Sequence, residues 1–280
     1  MKTIKAITFG VMIAMGATGL EAGAAEKNEA IMLAVTGNPD RMSGDTGRDA
    51  ARHPADLMAF LGLTPDMTIA EVNPGGGWYS RIFAPFVRDN GRYIGLEHHP
   101  ELYENRYPNY AAGLRAFPAK VKEDVALYGE QAIGAWLPAK SSPGIEAESV
   151  DAVIAVRALH NWIEAKFFDQ ASEEVWQMLK MGGTFGVVQH RVEEDFDGTF
   201  EDAIGRGRWK QSDMIKAVEA KGFEFVAASE MNANPRDTND YPEGVWTLPP
   251  VYALGDKDRE KYTAIGESDR MTLKFRKIAR

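Results

Sequence analysis

Residues Met67–Ser80 read MTIAEVNPGGGWYS, and their grammar is that of a strand, a tight turn and the start of a helix. Met67 to Val72 alternates apolar and polar side chains and is rich in β-formers. Asn73-Pro74 and three consecutive glycines follow, before an aromatic run with helical spacing. Three glycines in a row carry an entropic cost, so they mark a place where backbone turns with positive φ or lies directly against a ligand. A plain surface turn would use the same residues, and the flanking sequence has to separate the two.

Downstream, Trp78, Ile82, Phe83, Phe86 and Val87 recur at helical spacing and Asn90-Gly91 ends the run. Arg92 to Glu97 is then a second short strand that closes on an acid. Strand, helix and strand make one βαβ unit, which implies a parallel pair joined by a right-handed crossover. Upstream, Pro54 suits the first position of a short helix whose apolar face runs to Leu61 before Gly62 stops it. Residues 25–52 read as a polar, loop-like lead-in arm, with a turn at Gly37 to Asp40 and a charged run from Arg41 to Arg52.

Beyond Glu97, Tyr103, Tyr107 and Tyr110 have helical spacing, yet Pro100, Pro108 and Pro118 interrupt it. A third strand is expected at Ile133 to Leu137. Val150 to Val156 is a near-continuous β-branched run, the pattern of a strand buried on both faces. Phe168 to Leu179 is amphipathic and predicts a helix capped by Gly182-Gly183, followed by a strand over Thr184 to Gln189. Trp209 to Ala220 predicts a further helix, Phe223 to Ala227 another strand, and Arg270 to Lys277 the last. Residues 231–269 are polar and turn-rich, and their aromatics and prolines favour an ordered insert or lid. Alternating strands and helices predict an α/β fold, a Rossmann-like doubly wound sheet that binds ligands outside the carboxyl ends of its strands.

Composition narrows the partners. The 280 residues carry a net charge of −9, which disfavours nucleic acid, whose recognition leans on Lys and Arg neutralising phosphates. With no cysteine, the chain has no disulfide, no thiolate nucleophile and no Cys-metal site. His98-His99 is a weak metal signal, since adjacent imidazoles on an extended chain point opposite ways, and no metal is expected. Lys2 and Lys5, an apolar run from Ala6 to Leu20 and the small residues Ala22-Gly23-Ala24 predict a signal peptide over residues 1–24. The apolar run is shorter than the roughly 20 residues a membrane span needs, so no stable anchor is expected after cleavage. The mature protein is then periplasmic or secreted, with an arm at 25–52 and a main domain at 53–280.

The turn and the second strand together select a ligand class. Glu97 follows Gly77 by 20 residues and ends its strand, where a carboxylate can accept hydrogen bonds from both ribose hydroxyls. Glu71, just before the turn, would bring negative charge near a cationic part of a cofactor. Gly75 and Gly77 fit the first two glycines of a dinucleotide fingerprint, but Ser80 stands in place of the third, and no Gly-Lys-Ser/Thr phosphate loop follows. An adenosyl ligand without a pyrophosphate is what remains.

Glu71-Val72-Asn73-Pro74-Gly75-Gly76-Gly77 resembles the first motif of class I S-adenosylmethionine-dependent methyltransferases, with Asn73 where that family most often has its first glycine. Arg92 to Glu97 resembles the family's second strand with its ribose-binding acid. VDAVIAVRALHNW, residues 150–162, resembles its fourth-strand motif, and LKMGGTFGVV, residues 179–188, the segment after it. NPGGGWYS, the later Asn234-Pro235-Arg236-Asp237 and a terminal LKFRK look like a group of predicted, often exported bacterial methyltransferases. The resemblance covers roughly residues 40–280 and implies a sheet of about seven strands, mostly parallel with a C-terminal antiparallel hairpin. It also implies S-adenosyl-L-methionine as cofactor, held by Glu71, Gly75, Gly77 and Glu97, and a small-molecule methyl acceptor.

Methyl transfer from a sulfonium is an in-line displacement helped mainly by positioning, with a general base where the acceptor carries a proton. His160, after the fourth strand, is the expected catalytic residue, with His190 at the end of the fifth strand a second crevice candidate. Hydrogen-bonded structure explains His160 as readily, and Trp162 suits packing better than ligand stacking. Two other functions fit the same residues: an exported, non-catalytic binding protein on this fold, and a nicotinamide-dependent oxidoreductase using Glu97.

Overall fold

The structure is a computed structural model that describes residues 15–139 and 144–280. In chain order it contains α1 (Met15–Thr36), α2 (Asp49–Arg52), α3 (Pro54–Leu61), β1 (Thr68–Val72), α4 (Ser80–Val87) and β2 (Arg92–His98). Then come α5 (Pro108–Glu123), α6 (Val125–Tyr128), β3 (Ile133–Leu137), β4 (Val150–Val156), α7 (Leu159–Glu164), α8 (Phe168–Met178) and β5 (Leu179–Val192). The chain ends with α9 (Phe200–Gly205), β6 (Trp209–Lys210), α10 (Gln211–Glu219), β7 (Phe223–Ser229), α11 (Arg259–Ile265) and β8 (Arg270–Lys277).

Seven strands lie in the order β3-β2-β1-β4-β5-β8-β7, and the short β6 pairs with the end of β5. β1 to β5 run parallel, while β8 is antiparallel to both β5 and β7. The sheet is thus the Rossmann-like, mostly parallel one expected, closed by its antiparallel pair. Its two faces follow from a two-residue period: Ile69 packs on one side with Ile82, Phe83 and Leu57, and Ala70 and Val72 on the other with Trp162 and Val175. The order in which strands are added reverses between β1 and β4, so a crevice opens there at the carboxyl edge.

Several local expectations needed correction. Residues 25–52, read as a loop-like arm, are largely helical: α1 continues to Thr36 because Ile31, Ala34 and Val35 form a buried stripe against α3 and α4. Of the expected signal segment, residues 1–14 lie outside the described residues and α1 runs through the expected cleavage point. Gly182-Gly183 does not cap a helix; α8 ends at Met178, and the glycines sit in β5 where its register against β4 shifts between Val150 and Ala152. Trp209-Lys210 is a strand, and α10 begins only at Gln211.

Prolines hid a helix in the least legible region. Pro108 takes the first position of α5, where its missing N–H costs nothing, and Pro118 lies inside it. The carbonyl that Pro118 leaves without its helical donor, that of Leu114, accepts a hydrogen bond from Trp136 Nε1 at 2.8 Å. α4 solves the same problem at Pro85: the freed Arg81 carbonyl accepts from Asn38 Nδ2 at 2.5 Å. Asn38 also bonds Ala34 at the end of α1, so the turn at Gly37 to Asp40 fastens the arm to the helix after the glycines.

Candidate functional site

β1 ends at Val72, and the chain then turns through Asn73 at φ 54°, Gly75 at 56° and Gly77 at 75°. Asparagine is one of the few non-glycine residues that tolerates this left-handed conformation, so Asn73 performs the turn that a glycine would otherwise supply. A Cβ on Gly76 would meet nothing within 4 Å, and one on Gly75 only the Asn73 carbonyl at 3.8 Å. Open space therefore lies over these two glycines. Arg81 holds the turn from behind, donating to the Gly76 carbonyl at 2.9 Å and gripping Asp45 with two bonds of 2.7 and 3.0 Å.

Glu97 reaches the same turn from β2. Its Oε1 accepts from the Gly75 N–H at 2.7 Å, while its buried Oε2 has no hydrogen-bond partner among the described residues. Burial raises the Glu97 carboxyl above its usual range, only partly offset by the Gly75 and His98 amides and Lys120. An unsatisfied buried carboxylate oxygen is costly, and a ligand donating hydroxyls removes that cost. Asn73 Oδ1 is a second buried acceptor without a described partner at this turn.

Glu71 is differently placed. Its buried Oε2 accepts from Tyr93 at 2.6 Å and Ser80 at 2.8 Å, tying β1 to β2 and α4. Burial pushes its pKa up to about 7, against the pull of the Tyr93 and Ser80 hydroxyls. The folded state therefore holds a proton that the unfolded chain releases near 4.5, and stability falls as pH rises from about 4.5 to 7, then levels. Glu71→Gln keeps an acceptor for both hydroxyls; it is expected to flatten this profile, removing roughly 3 kcal/mol of loss by pH 8. Urea unfolding of both proteins across pH 5–8 checks it.

The crevice at β1 and β4 has a volume of about 340 Å³. Glu71, Gly75 and His160 line it, as does His190; Gly77 and Glu97 do not, Glu97 standing behind the turn through its bond to Gly75. His160 lies in the first turn of α7 and is buried, with its ring 5.7 Å from that of His190 and 5.9 Å from that of Trp246. Gln189 Nε2 lies 3.0 Å from both the Gly207 carbonyl and His160 Nδ1, so that nitrogen accepts and the neutral ring carries its proton on Nε2. Burial, with nearby Arg157, lowers the His160 pKa to about 4. So weak a base suits a hydrogen-bond donor better than the general base expected from its position. Trp162 is fully buried in the core, and His98-His99 is buried too, with His98 Nδ1 2.9 Å from the Tyr103 hydroxyl.

Residues that the sequence did not single out complete the crevice. Arg48 and Arg52 from the charged run, Tyr79 after the glycines, Arg157 after β4 and Glu267-Ser268 before β8 all line it. Val245, Trp246, Pro249 and Pro250 bring the 231–269 segment to the same place. One signal was present for Arg157: a charge directly following the apolar run Ala152 to Val156, here at φ 58°.

Known proteins match this arrangement. The family model for protein-L-isoaspartate (D-aspartate) O-methyltransferase matches residues 26–112. A sterol 24-C-methyltransferase of Neurospora crassa is 25% identical over 211 residues, covering 71% of this chain and 49% of that protein. Its counterpart from Yarrowia lipolytica is 24% identical over 213 residues, covering 71% and 50%. The chain thus spans about half the length of these curated relatives. Among solved structures, the [4+2]-cyclase SpnF shares the fold with a TM-score of 0.55 at 16% identity, over 92% of this chain and 96% of that one. Geranyl diphosphate methyltransferase in complex with S-adenosylmethionine aligns with a TM-score of 0.50 at 12% identity, over 83% and 87%. With its glycine turn, its strand-end acid and its sheet order, the chain resembles the class I S-adenosylmethionine-dependent methyltransferases in fold and in first motif.

Proposed function

We propose that the protein is an S-adenosyl-L-methionine-dependent methyltransferase acting on a small molecule. The observation that carries this reading is Glu97, buried at the end of β2, with one oxygen on the Gly75 N–H and the other unpartnered beside an open glycine turn. The donor set fits an adenosyl group: Glu97 would accept from ribose hydroxyls, and the exposed backbone at Gly75 and Gly76 allows close approach. When bound, the cofactor supplies a methyl group on a sulfonium, open to in-line displacement. The chain's own part is to hold the acceptor in line within the crevice, with water reduced by Trp246 and Pro249 from the 231–269 segment.

His160 serves here as a donor that orients the acceptor. With its pKa near 4, the pH–rate profile of the enzyme is expected to show no ionisation near 6.5 attributable to it, and His160→Gln to lower kcat about tenfold without adding one. A steady-state pH series on the two proteins checks this.

Calorimetric titration with S-adenosylmethionine, S-adenosylhomocysteine and NAD tests the main reading. Binding of both adenosyl compounds supports it; binding of NAD alone would replace it with an oxidoreductase. Export is part of the proposal, resting on the basic start, apolar run and small residues of segment 1–24. A reporter fused to residues 1–30 that stayed cytosolic would remove it. Among the described residues no helix is long and apolar enough to cross a membrane.

A further inference from the structure

Four arginines converge at the edge of the crevice on one carboxylate. Glu267 accepts from Arg48 Nε at 3.1 Å, Arg52 Nε at 3.0 Å and Arg270 Nη1 at 2.8 Å, and Arg157 adds its field to the same group. Against the burial that would raise it, Arg270, Arg52 and Arg157 hold the Glu267 carboxyl at about 2, so it is ionised. One negative charge thus faces four positive ones. Of the other acids lining the crevice, Asp45 is taken by the two bonds from Arg81, and Glu71 is tied to Tyr93 and Ser80 with burial favouring its neutral form.

Two of the four are almost fully buried, Arg52 at 1% exposed and Arg270 at 2%, while Arg48 and Arg157 are partly exposed. Arg52 Nη2, Arg48 Nη2 and Arg157 Nε are buried nitrogens without a hydrogen-bond partner among the described residues, and all three side chains line the crevice. The Arg52 guanidinium is held 4.7 Å over the Trp78 ring, with Arg41 at 5.0 Å from the same ring, so its position is set before any ligand arrives. Uncompensated buried charge and unmade hydrogen bonds both cost stability, and both costs vanish if an anion enters. A planar fork presenting spare N–H groups matches a carboxylate or a phosphate.

We propose that Arg48, Arg52 and Arg157 form an anion subsite that holds a carboxylate or phosphate group of the methyl acceptor. The assignment to the acceptor rests on the methyltransferase reading above and on topology. Glu97, which marks the adenosyl side, ends β2 on one side of β1; Arg157 follows β4 and Glu267 precedes β8, both on the other side. The donors of the cluster therefore hang over the half of the sheet that the adenosyl group leaves open. It also gives an acidic protein a local reason to attract an acidic substrate.

The test uses the full chain and two probes, sodium phosphate and sodium acetate, titrated against sodium chloride at matched ionic strength, with the thermal midpoint as readout. Phosphate or acetate is expected to raise the midpoint beyond the chloride control, and to do so equally when S-adenosylhomocysteine is saturating. Whichever of the two raises it more identifies the group recognised. Arg157→Gln, which removes a guanidinium with no ion pair among the described residues, is expected to weaken the anion at least about tenfold and to raise the midpoint without anion. Arg52→Gln should weaken it similarly, and Glu267→Gln should tighten it. No response to either anion, or an unchanged response in Arg157→Gln, overturns the subsite. Competition between phosphate and S-adenosylhomocysteine overturns its assignment to the acceptor, because the arginines would then hold the cofactor's own carboxylate. Failure of S-adenosylhomocysteine to bind at all sinks the methyltransferase reading instead, and the anion subsite is still judged by the phosphate titration.

Discussion

Glu97→Gln is expected to weaken S-adenosylhomocysteine binding about a hundredfold, the order of two charge-assisted hydrogen bonds lost to a ribose. The substitution is chosen because it separates the two oxygens. An amide oxygen can still accept from the Gly75 N–H, so the glycine turn keeps its tether to β2. The oxygen that has no described partner becomes an NH₂, which cannot accept from a hydroxyl. Burial raises the carboxyl in the free protein, so the loss of charge itself costs the fold little. Titration calorimetry together with urea unfolding distinguishes the outcomes: a large loss of affinity at unchanged stability supports the role, and equal affinity in the two proteins removes Glu97 from the site.

The largest effect on stability is expected from Asp237→Ala. Asp237 and Arg208 are both fully buried and joined by two parallel bonds of 2.8 and 2.9 Å. Asp237 also accepts from the backbone of Asn239 at 3.1 Å and of Asp269 at 2.6 Å, so one carboxylate fastens both ends of the 231–269 segment. Removing it leaves a buried guanidinium without its counter-charge, a loss of about 3–5 kcal/mol. Equilibrium urea unfolding measures it. Arg208→Met with Asp237→Leu should recover part of the loss, since an apolar pair leaves no charge stranded. Because this segment also brings Val245 and Trp246 to the crevice, Asp237→Ala should weaken acceptor binding even where the protein remains folded.

This pair gives Asn234-Pro235-Arg236-Asp237 a physical meaning that its sequence alone did not carry. Asn234 bonds the carbonyls of Ile265 and Glu267 through Nδ2, at 2.9 and 2.7 Å. Glu267 in turn is the acid at the centre of the arginine cluster. The motif is thus a clasp that sets the far end of a long segment beside the crevice. Its partners lie some 30 residues away along the chain, beyond the reach of any local pattern.

β4 was legible because burial on both sheet faces leaves a near-continuous apolar run, and β8 because Met271, Leu273 and Phe275 alternate with polar residues. Ile133–Leu137, Val150–Val156 and Arg270–Lys277 have the bounds that composition suggested. Helix α5 was not legible, because its internal Pro118 is tolerated only through a side chain from another element, Trp136 on β3. The helical arm was missed for a related reason. Its buried stripe of Ile31, Ala34 and Val35 is short and interrupted by the exposed apolar Met32 and Leu33, so no helical period stands out and it gains its stability from α3 and α4.

By itself, the sequence determined the glycine turn, the acid twenty residues beyond it and the alternation of strands and helices, and with them the resemblance to the superfamily. These are local features, set by backbone conformation and by periodicity over a few residues. Tertiary structure alone decided that Asn73 adopts the conformation of the missing glycine, that Glu97 keeps one oxygen free, that His160 is a weak base, and that four arginines meet one glutamate. Each of those is a property of what surrounds a residue, and burial and charge depend on neighbours that the chain brings together only when it folds.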